Sequence, residues 1–172
     1  YYYNIGVRNF YLMLHKATDD LRRIVAARAH TLYDARVVIS YNDTDRHYHD
    51  EDCKKLTDAA LNDGLDFILG TDADELLVLK KHKTVQELIA EYWREDPFGI
   101  YFRWFTYPPL WDVRENAFSV MQYRDPEMRI QEKAIGRFNR GMAYVPGLHI
   151  ITGTPITVRV DPSVAFYAHF PD

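Results

Sequence analysis

Thr71-Asp72-Ala73-Asp74-Glu75-Leu76 is the stretch of this chain best equipped for chemistry, because three carboxylates follow directly on the run Leu65-Asp66-Phe67-Ile68-Leu69-Gly70. Phe67, Ile68 and Leu69 in succession suit a central strand buried on both faces, where burial replaces alternation. In extended backbone the Asp72 and Asp74 side chains leave on one side. Two anions held that close repel, and each ionises readily only if a cation lies between them. Hard oxygen ligands at the carboxyl end of a buried strand suit Mg²⁺ or Mn²⁺, with substrate phosphates completing the shell. Open α/β sheets also take their ligands at that end. An acidic loop capping the next segment is the plainer alternative; the buried strand in front favours a metal site.

Other reactive groups are weaker signals singly. Glu75 follows the aspartate pair and suits either a base or a structural carboxylate. His149, in Pro146-Gly147-Leu148-His149, is either a structural histidine or a further Mn²⁺ ligand. Lys133 and Arg137 lie four apart around Gly136, on one face if the segment is a strand. Such a pair could neutralise a diphosphate leaving group, or line a solvated edge. His47-Tyr48-His49 with Asp43, Asp45, Asp50 and Asp52 has the composition of a metal cluster, but a polar loop and a helix amino-terminus account for it better. Trp104, Tyr107 and Trp111 gather around Pro108-Pro109. Aromatic faces there could stack on sugar C–H surfaces; Trp104 also suits a core edge, whereas Tyr107 and Trp111 favour ligand contact. The chain has no Gly-x-Gly-x-x-Gly and no Gly-Lys-Ser/Thr loop, and Ser40, Ser119 and Ser163 lack a nucleophile-elbow context.

The elements that must position these groups alternate. Asn9 to Leu14 reads as a strand, Thr18 or Asp19 caps a helix over 20–29, and Ala35 to Ser40 is a second buried strand. A helix over 51–62 ends at Asn62-Asp63-Gly64 and leads to the strand before the acidic motif. Thr84-Val85-Gln86-Glu87 is a capping box that opens the next helix. Strand–helix alternation of this kind predicts a parallel sheet with crossover helices. Beyond residue 98 the pattern turns β-rich: strands are expected over 98–105, Lys133 to Phe138, Ile156 to Val160 and Ala165 to Phe170, with a short helix over 115–123.

At 172 residues, 47% hydrophobic and 27% charged, the chain is a single globular domain by length and composition. A net charge of −4 with no Lys/Arg stripe gives no case for nucleic acid. Cys53 is the sole cysteine, so no internal disulfide can form. No apolar run approaches the ~20 residues that cross a bilayer, and no targeting pattern stands out. Tyr1 to Gly6 is predicted to be the end of a helix stopped by Gly6. The chain is thus expected to be part of a longer one, with a strand and most of a helix upstream. A cytoplasmic location is expected unless that upstream segment carries a signal.

Four places together resemble the GT-A fold glycosyltransferases of the family-2-like group. Gly6-Val7-Arg8-Asn9-Phe10-Tyr11 followed by Ala17-Thr18-Asp19-Asp20 is similar to their Gly-Val-x-x-Phe-Tyr strand and Ser-Thr-Asp-Asp turn, the strand that begins their fold being expected upstream. Phe67 to Leu77 is similar to their strand ending in Asp-x-Asp-Glu, Phe102 to Thr106 to their Trp-x-x-Phe segment, and Lys133-Ala134-Ile135-Gly136-Arg137 with His149 to their Lys-x-Ile-x-Arg and following His. The resemblance implies a Rossmann-like three-layer α/β sandwich with a mainly parallel sheet and a β-rich C-terminal part. Residues 1–79 would form its nucleotide- and metal-binding half, and 80–172 its acceptor side. It also implies transfer of a sugar from a nucleoside diphosphate sugar to a glycan or other hydroxyl acceptor, with Asp72, Asp74 and His149 on Mg²⁺ or Mn²⁺. Lys133 and Arg137 would meet the diphosphate, Trp104, Tyr107 and Trp111 the sugars, and Glu75, Asp112 or Glu115 would act as base. The family's aspartate before the Ser-Thr-Asp turn is replaced by Leu14. A phosphohydrolase, a nucleotidyltransferase and an inactive glycan- or partner-binding domain are the competing expectations.

Overall fold

The computed structural model describes residues 1–45, 49–95, 99–107, 131–138 and 157–170. The first half follows the alternation closely. Strand β1 (Asn9–His15), helix α1 (Asp19–Ala29) and strand β2 (Arg36–Asn42) form a parallel unit, in register from Asn9↔Arg36 to His15↔Asn42. Thr18 is the N-cap of α1: its hydroxyl accepts from the Leu21 amide at 3.3 Å, with Asp19 and Asp20 in the positive first turn. Helix α2 (His49–Asn62) packs on β1 and stops at Gly64, whose φ of +81° is left-handed. There the Leu65 amide reaches Ala60 and the Gly64 amide reaches Leu61, the paired bonds of a Schellman stop. The same two bonds recur at Gly6 (φ +98°), from Val7 to Tyr2 and from Gly6 to Tyr3, so the predicted helix-stop geometry is present.

The remaining strands are β3 (Phe67–Leu69), β4 (Glu75–Leu79), β5 (Gly99–Thr106), β6 (Gln131–Arg137), β7 (Thr157–Val160) and β8 (Ala165–His169). Helix α3 (Val85–Tyr92) lies between β4 and β5. Its Thr84 hydroxyl accepts from the Glu87 amide at 3.2 Å, while the Glu87 carboxylate takes the Lys83 amide at 2.8 Å, one residue before the cap. Strand β4 is not among the expected elements. The helix expected over 115–123 lies outside the described residues.

These strands form one sheet, ordered β3-β6-β5-β8-β4 with β7 beside β5. It is mixed rather than mainly parallel: β3–β6, β5–β6 and β4–β8 are antiparallel, and only β7 and β8 run parallel to β5. The physical reason is that late strands insert among early ones, β6 between β3 and β5 and β8 between β5 and β4. The expected strand–helix–strand unit with a parallel pair is found in the separate β1–β2 sheet.

Strands β3 and β4 are consecutive in the chain yet occupy opposite edges of the sheet. In a flat sheet those edges stand about 19 Å apart. The Glu75 amide bonds the Asp72 carbonyl at 3.2 Å, so the connection folds into a turn. That turn leaves Leu69 to Glu75 a reach of roughly 17 Å. The sheet must therefore curl, and the acidic motif is what bridges its edges.

One face of the sheet packs Leu77, Ile100, Phe102, Ile135 and Tyr167 against Val85 and Leu88 of α3. Each such fully buried side chain stabilises by about 1.5–3 kcal/mol. The N-terminal turn seals this core: Tyr1 bonds the Leu77 carbonyl at 2.6 Å, and the Val85 amide bonds Ile5 at 2.8 Å. On the other face Tyr101, Ala134 and Phe138 meet Leu61 of α2. No helix among the described residues is long and apolar enough to cross a membrane.

Candidate functional site

The acidic turn is fixed from below by a buried ion pair. Lys133, on β6, has no exposure at all, and its Nζ lies 2.9 Å from Glu75 Oε2 and 3.2 Å from Asp72 Oδ2. Glu75 is 2% exposed, and the same Oε2 accepts from the Asp72 amide at 2.9 Å. The turn is thus held by reciprocal bonds, backbone to backbone and backbone to carboxylate. A buried carboxylate and a buried ammonium each cost several kcal/mol unless paired, so their position side by side is enforced.

Tyr2 braces the same turn from the N-terminus. Its hydroxyl donates to the Glu75 carbonyl at 3.0 Å, accepts from the Leu77 amide at 3.1 Å and lies 3.2 Å from the Thr71 hydroxyl. Burial above all, with the nearby Glu75 charge, pushes this phenol up to about 12.

Above this base the two aspartates stay open to solvent, Asp72 by 43% and Asp74 by 34% of the side chain. Asp74 Oδ2 lies 3.1 Å from His169 Nε2, and its carbonyl accepts from the Phe170 amide at 2.9 Å. The pairing Glu75↔His169 in the β4–β8 register delivers that imidazole to the turn. The His169 ring lies 4.4 Å from the Trp104 ring, and its Nδ1 is buried with no partner among the described residues. The amino end of α2 approaches from the side. Burial pushes the Cys53 thiol up to about 11, with the Asp72, Asp50 and Asp52 charges adding to the shift and Lys133 opposing it. The thiol is therefore unreactive at neutral pH.

Several predicted site residues take other roles here. Glu75, a candidate base, is walled in by Lys133 and the Asp72 amide, so its carboxylate cannot reach an acceptor hydroxyl. Lys133 and Arg137 make no common clamp, because four strand residues span about 13 Å. Lys133 lies under the turn, whereas the exposed Arg137 sits 4.0 Å from Asp66 and 6.0 Å from the Phe67 ring. Tyr107 is 4% exposed and stacks on Phe170, a core position rather than an open stacking face. Trp104 packs against the main core, as its place in a strand allows. The loop acids expected to play no metal role are bound internally: Asp43 pairs with Arg22, Asp45 with Lys16, and Asp52 accepts from Asn42 at 2.8 Å. Trp111, Asp112, Glu115 and His149 lie outside the described residues.

His169 was not singled out from sequence. The only signal for it is long-range, the register that sets the end of β8 beside the start of β4. As a donor set, Asp72 and Asp74 are hard carboxylates suited to Mg²⁺ or Mn²⁺, but two carboxylates fill only part of such a shell. Among the described residues no group of three or more His, Cys, Asp or Glu side chains is arranged to hold a metal ion. Each of the two carboxylates is engaged from within the chain, Asp72 by Lys133 and Asp74 by His169, so a divalent ion there would need most of its ligands from elsewhere. No protein-family model matches the chain, and no curated protein matches it in sequence.

Proposed function

We propose that this chain is a GT-A-type glycosyltransferase domain that moves a sugar from a nucleoside diphosphate donor to a hydroxyl acceptor. One observation carries the proposal: the part-exposed Asp72 is tied to a buried lysine–glutamate pair, and the part-exposed Asp74 beside it to His169. A surface acidic loop needs no such foundation. A turn that must present two carboxylates in a fixed direction does. In this proposal Asp72 and Asp74 hold Mg²⁺ or Mn²⁺ jointly with the diphosphate, and the metal supplies Lewis acidity toward the leaving group. The parallel β1–α1–β2 unit would supply the nucleotide side of a GT-A-type domain. With Glu75 enclosed, deprotonation of the acceptor falls to Asp112 or Glu115.

A second reading has its own observation. Asp72 is already paired with Lys133 and Asp74 with His169, which suits an inactive domain that binds glycans or a partner protein. Calorimetry separates the two, using UDP and GDP with and without Mn²⁺, on the natural chain and on Asp74→Ala. The transferase proposal expects nucleotide binding that needs Mn²⁺ and is lost in Asp74→Ala. Binding that ignores both the metal and the substitution would overturn it.

A further inference from the structure

We infer that Arg103 and Arg159 form a binding site for a compact oxyanion, a carboxylate or phosphate carried on a small molecule. The site is separate from the acidic turn and independent of the transferase reading. Both arginines belong to the sheet face turned away from α3. Tyr101 and Arg103 are two apart on β5 and so share that face. Arg159 of β7 pairs with Tyr101 in the register, and Glu132 of β6 pairs with Arg103. These side chains, with Asp161 and Pro162, line a cleft of about 240 Å³, the volume of roughly eight waters in the liquid.

Donors outnumber acceptors in this cleft. Glu132 is the carboxylate opposite Arg103, yet Arg159 takes it. The Arg159 side chain crosses β5 to do so, a span of two strand spacings or roughly 10 Å. Its Nε and Nη2 lie 2.8 and 3.3 Å from the two Glu132 oxygens, and its guanidinium carbon lies 6.0 Å from the centre of the Tyr101 ring. Arg159 is thereby held in place with N–H donors left over. Asp161, on the other flank of Arg103, is committed to Ser163, whose hydroxyl and amide hold its carboxyl below the usual range. The Arg103 guanidinium makes no hydrogen bond or ion pair among the described residues. Lys81 and Arg103 also act on Asp161. Three cations, Arg103, Arg159 and Lys81, thus meet two carboxylates, Glu132 and Asp161, a surplus of one positive charge. Two guanidinium forks with unused donors match the planar oxygens of a carboxylate or one face of a phosphate.

The test follows the arginine Nε–H signals of the ¹⁵N-labelled chain by NMR. Sodium glucuronate or sodium phosphate is added at constant ionic strength, with sodium chloride as the control. Loss of a signal in Arg103→Met or Arg159→Met assigns the two residues. Glucuronate or phosphate should move both signals together along one saturable curve, and chloride should move neither. Arg103→Met should raise the dissociation constant read at Arg159 at least about tenfold. Tighter binding of glucuronate supports the site with a carboxylate as its ligand, and tighter binding of phosphate supports it with a phosphate ester. Shifts that do not saturate, that chloride reproduces, or that stay unchanged at Arg159 in Arg103→Met overturn the inference. Saturation and the chloride control are read on the natural chain, so they decide the matter even if the variant does not fold.

Discussion

Replacing Lys133 with Met should destabilise the protein far more than any exposed ion pair does. Lys133 is fully buried and Glu75 is 2% exposed, so removal of the ammonium leaves a carboxylate with no counter-charge in the core. Breaking a buried pair from one side costs about 3–5 kcal/mol. A domain holds about 5–15 kcal/mol in total. For a chain of this length such a loss lowers the melting temperature by roughly 10 °C. Lys54 and Asp58 make a natural control, at 2.6 Å but with side chains 67% and 53% exposed. Lys54→Met should cost no more than about 0.5 kcal/mol. Urea unfolding followed by tryptophan fluorescence measures both. In Glu75→Gln/Lys133→Met the stranded charge is gone, and most of the loss should return. Equal costs for Lys133→Met and Lys54→Met, or a double variant no better than the single, would refute the claim that this pair is the foundation of the turn.

Tyr2→Phe removes a hydroxyl that serves the Glu75 carbonyl, the Leu77 amide and Thr71. It should cost about 1–3 kcal/mol in the same assay, and a smaller loss would mean that water replaces the phenol. Gly6→Ala and Gly64→Ala both force a left-handed residue, yet only at Gly6 would the new methyl strike a side chain, the Gln86 amide that bonds the Gly6 carbonyl. Gly64→Ala should cost about 1 kcal/mol, and Gly6→Ala clearly more, by thermal unfolding. The Cys53 thiol stands at about 11 when folded against an ordinary 9.0. Between those values the unfolded chain has lost the proton and the folded chain keeps it, so stability falls as pH rises from 9 toward 11. Cys53→Ala should flatten that part of the pH–stability curve, and alkylation of Cys53 should be slow at pH 7.

Local chemistry was legible wherever one residue acts on its own neighbourhood. Thr18 and Thr84 cap the helices their sequences announce, and Gly6 and Gly64 stop the chain as left-handed residues. The aspartates of the motif remain part-exposed, as expected. The strand before them, however, lies at the edge of the sheet with Phe67 39% exposed, not in the centre buried on both faces, and they sit at a turn rather than in extended backbone. What escaped was pairing across distance. Leu76 to Leu79 follow the acidic run without a turn signal, so nothing nearby marks them as a strand; β8 creates β4 by pairing with it. Lys133 shows the same gap. A lysine in a strand is expected to face solvent or an anionic ligand, and it is the long-range pairing of β6 with β3 and β5 that brings it beneath the acidic turn. His169 enters the site by register as well. The antiparallel character of the large sheet is the sum of such pairings, each decided by burial over many residues rather than by any local run.

The division into two sheets sets how the molecule should come apart. Strands β1 and β2 share no ladder with the larger sheet, and none of their apolar side chains is fully buried. Their links to the rest include the packing of α2 on β1 and the Asp63 carboxylate, which bonds Tyr11 at 2.5 Å and Arg36 at 2.7 Å. A parallel ribbon of two strands is marginal alone. Backbone amide protons from Phe10 to Leu14 should therefore trade with deuterium through a partial opening, well before those of β5, whose protection reports loss of the entire fold.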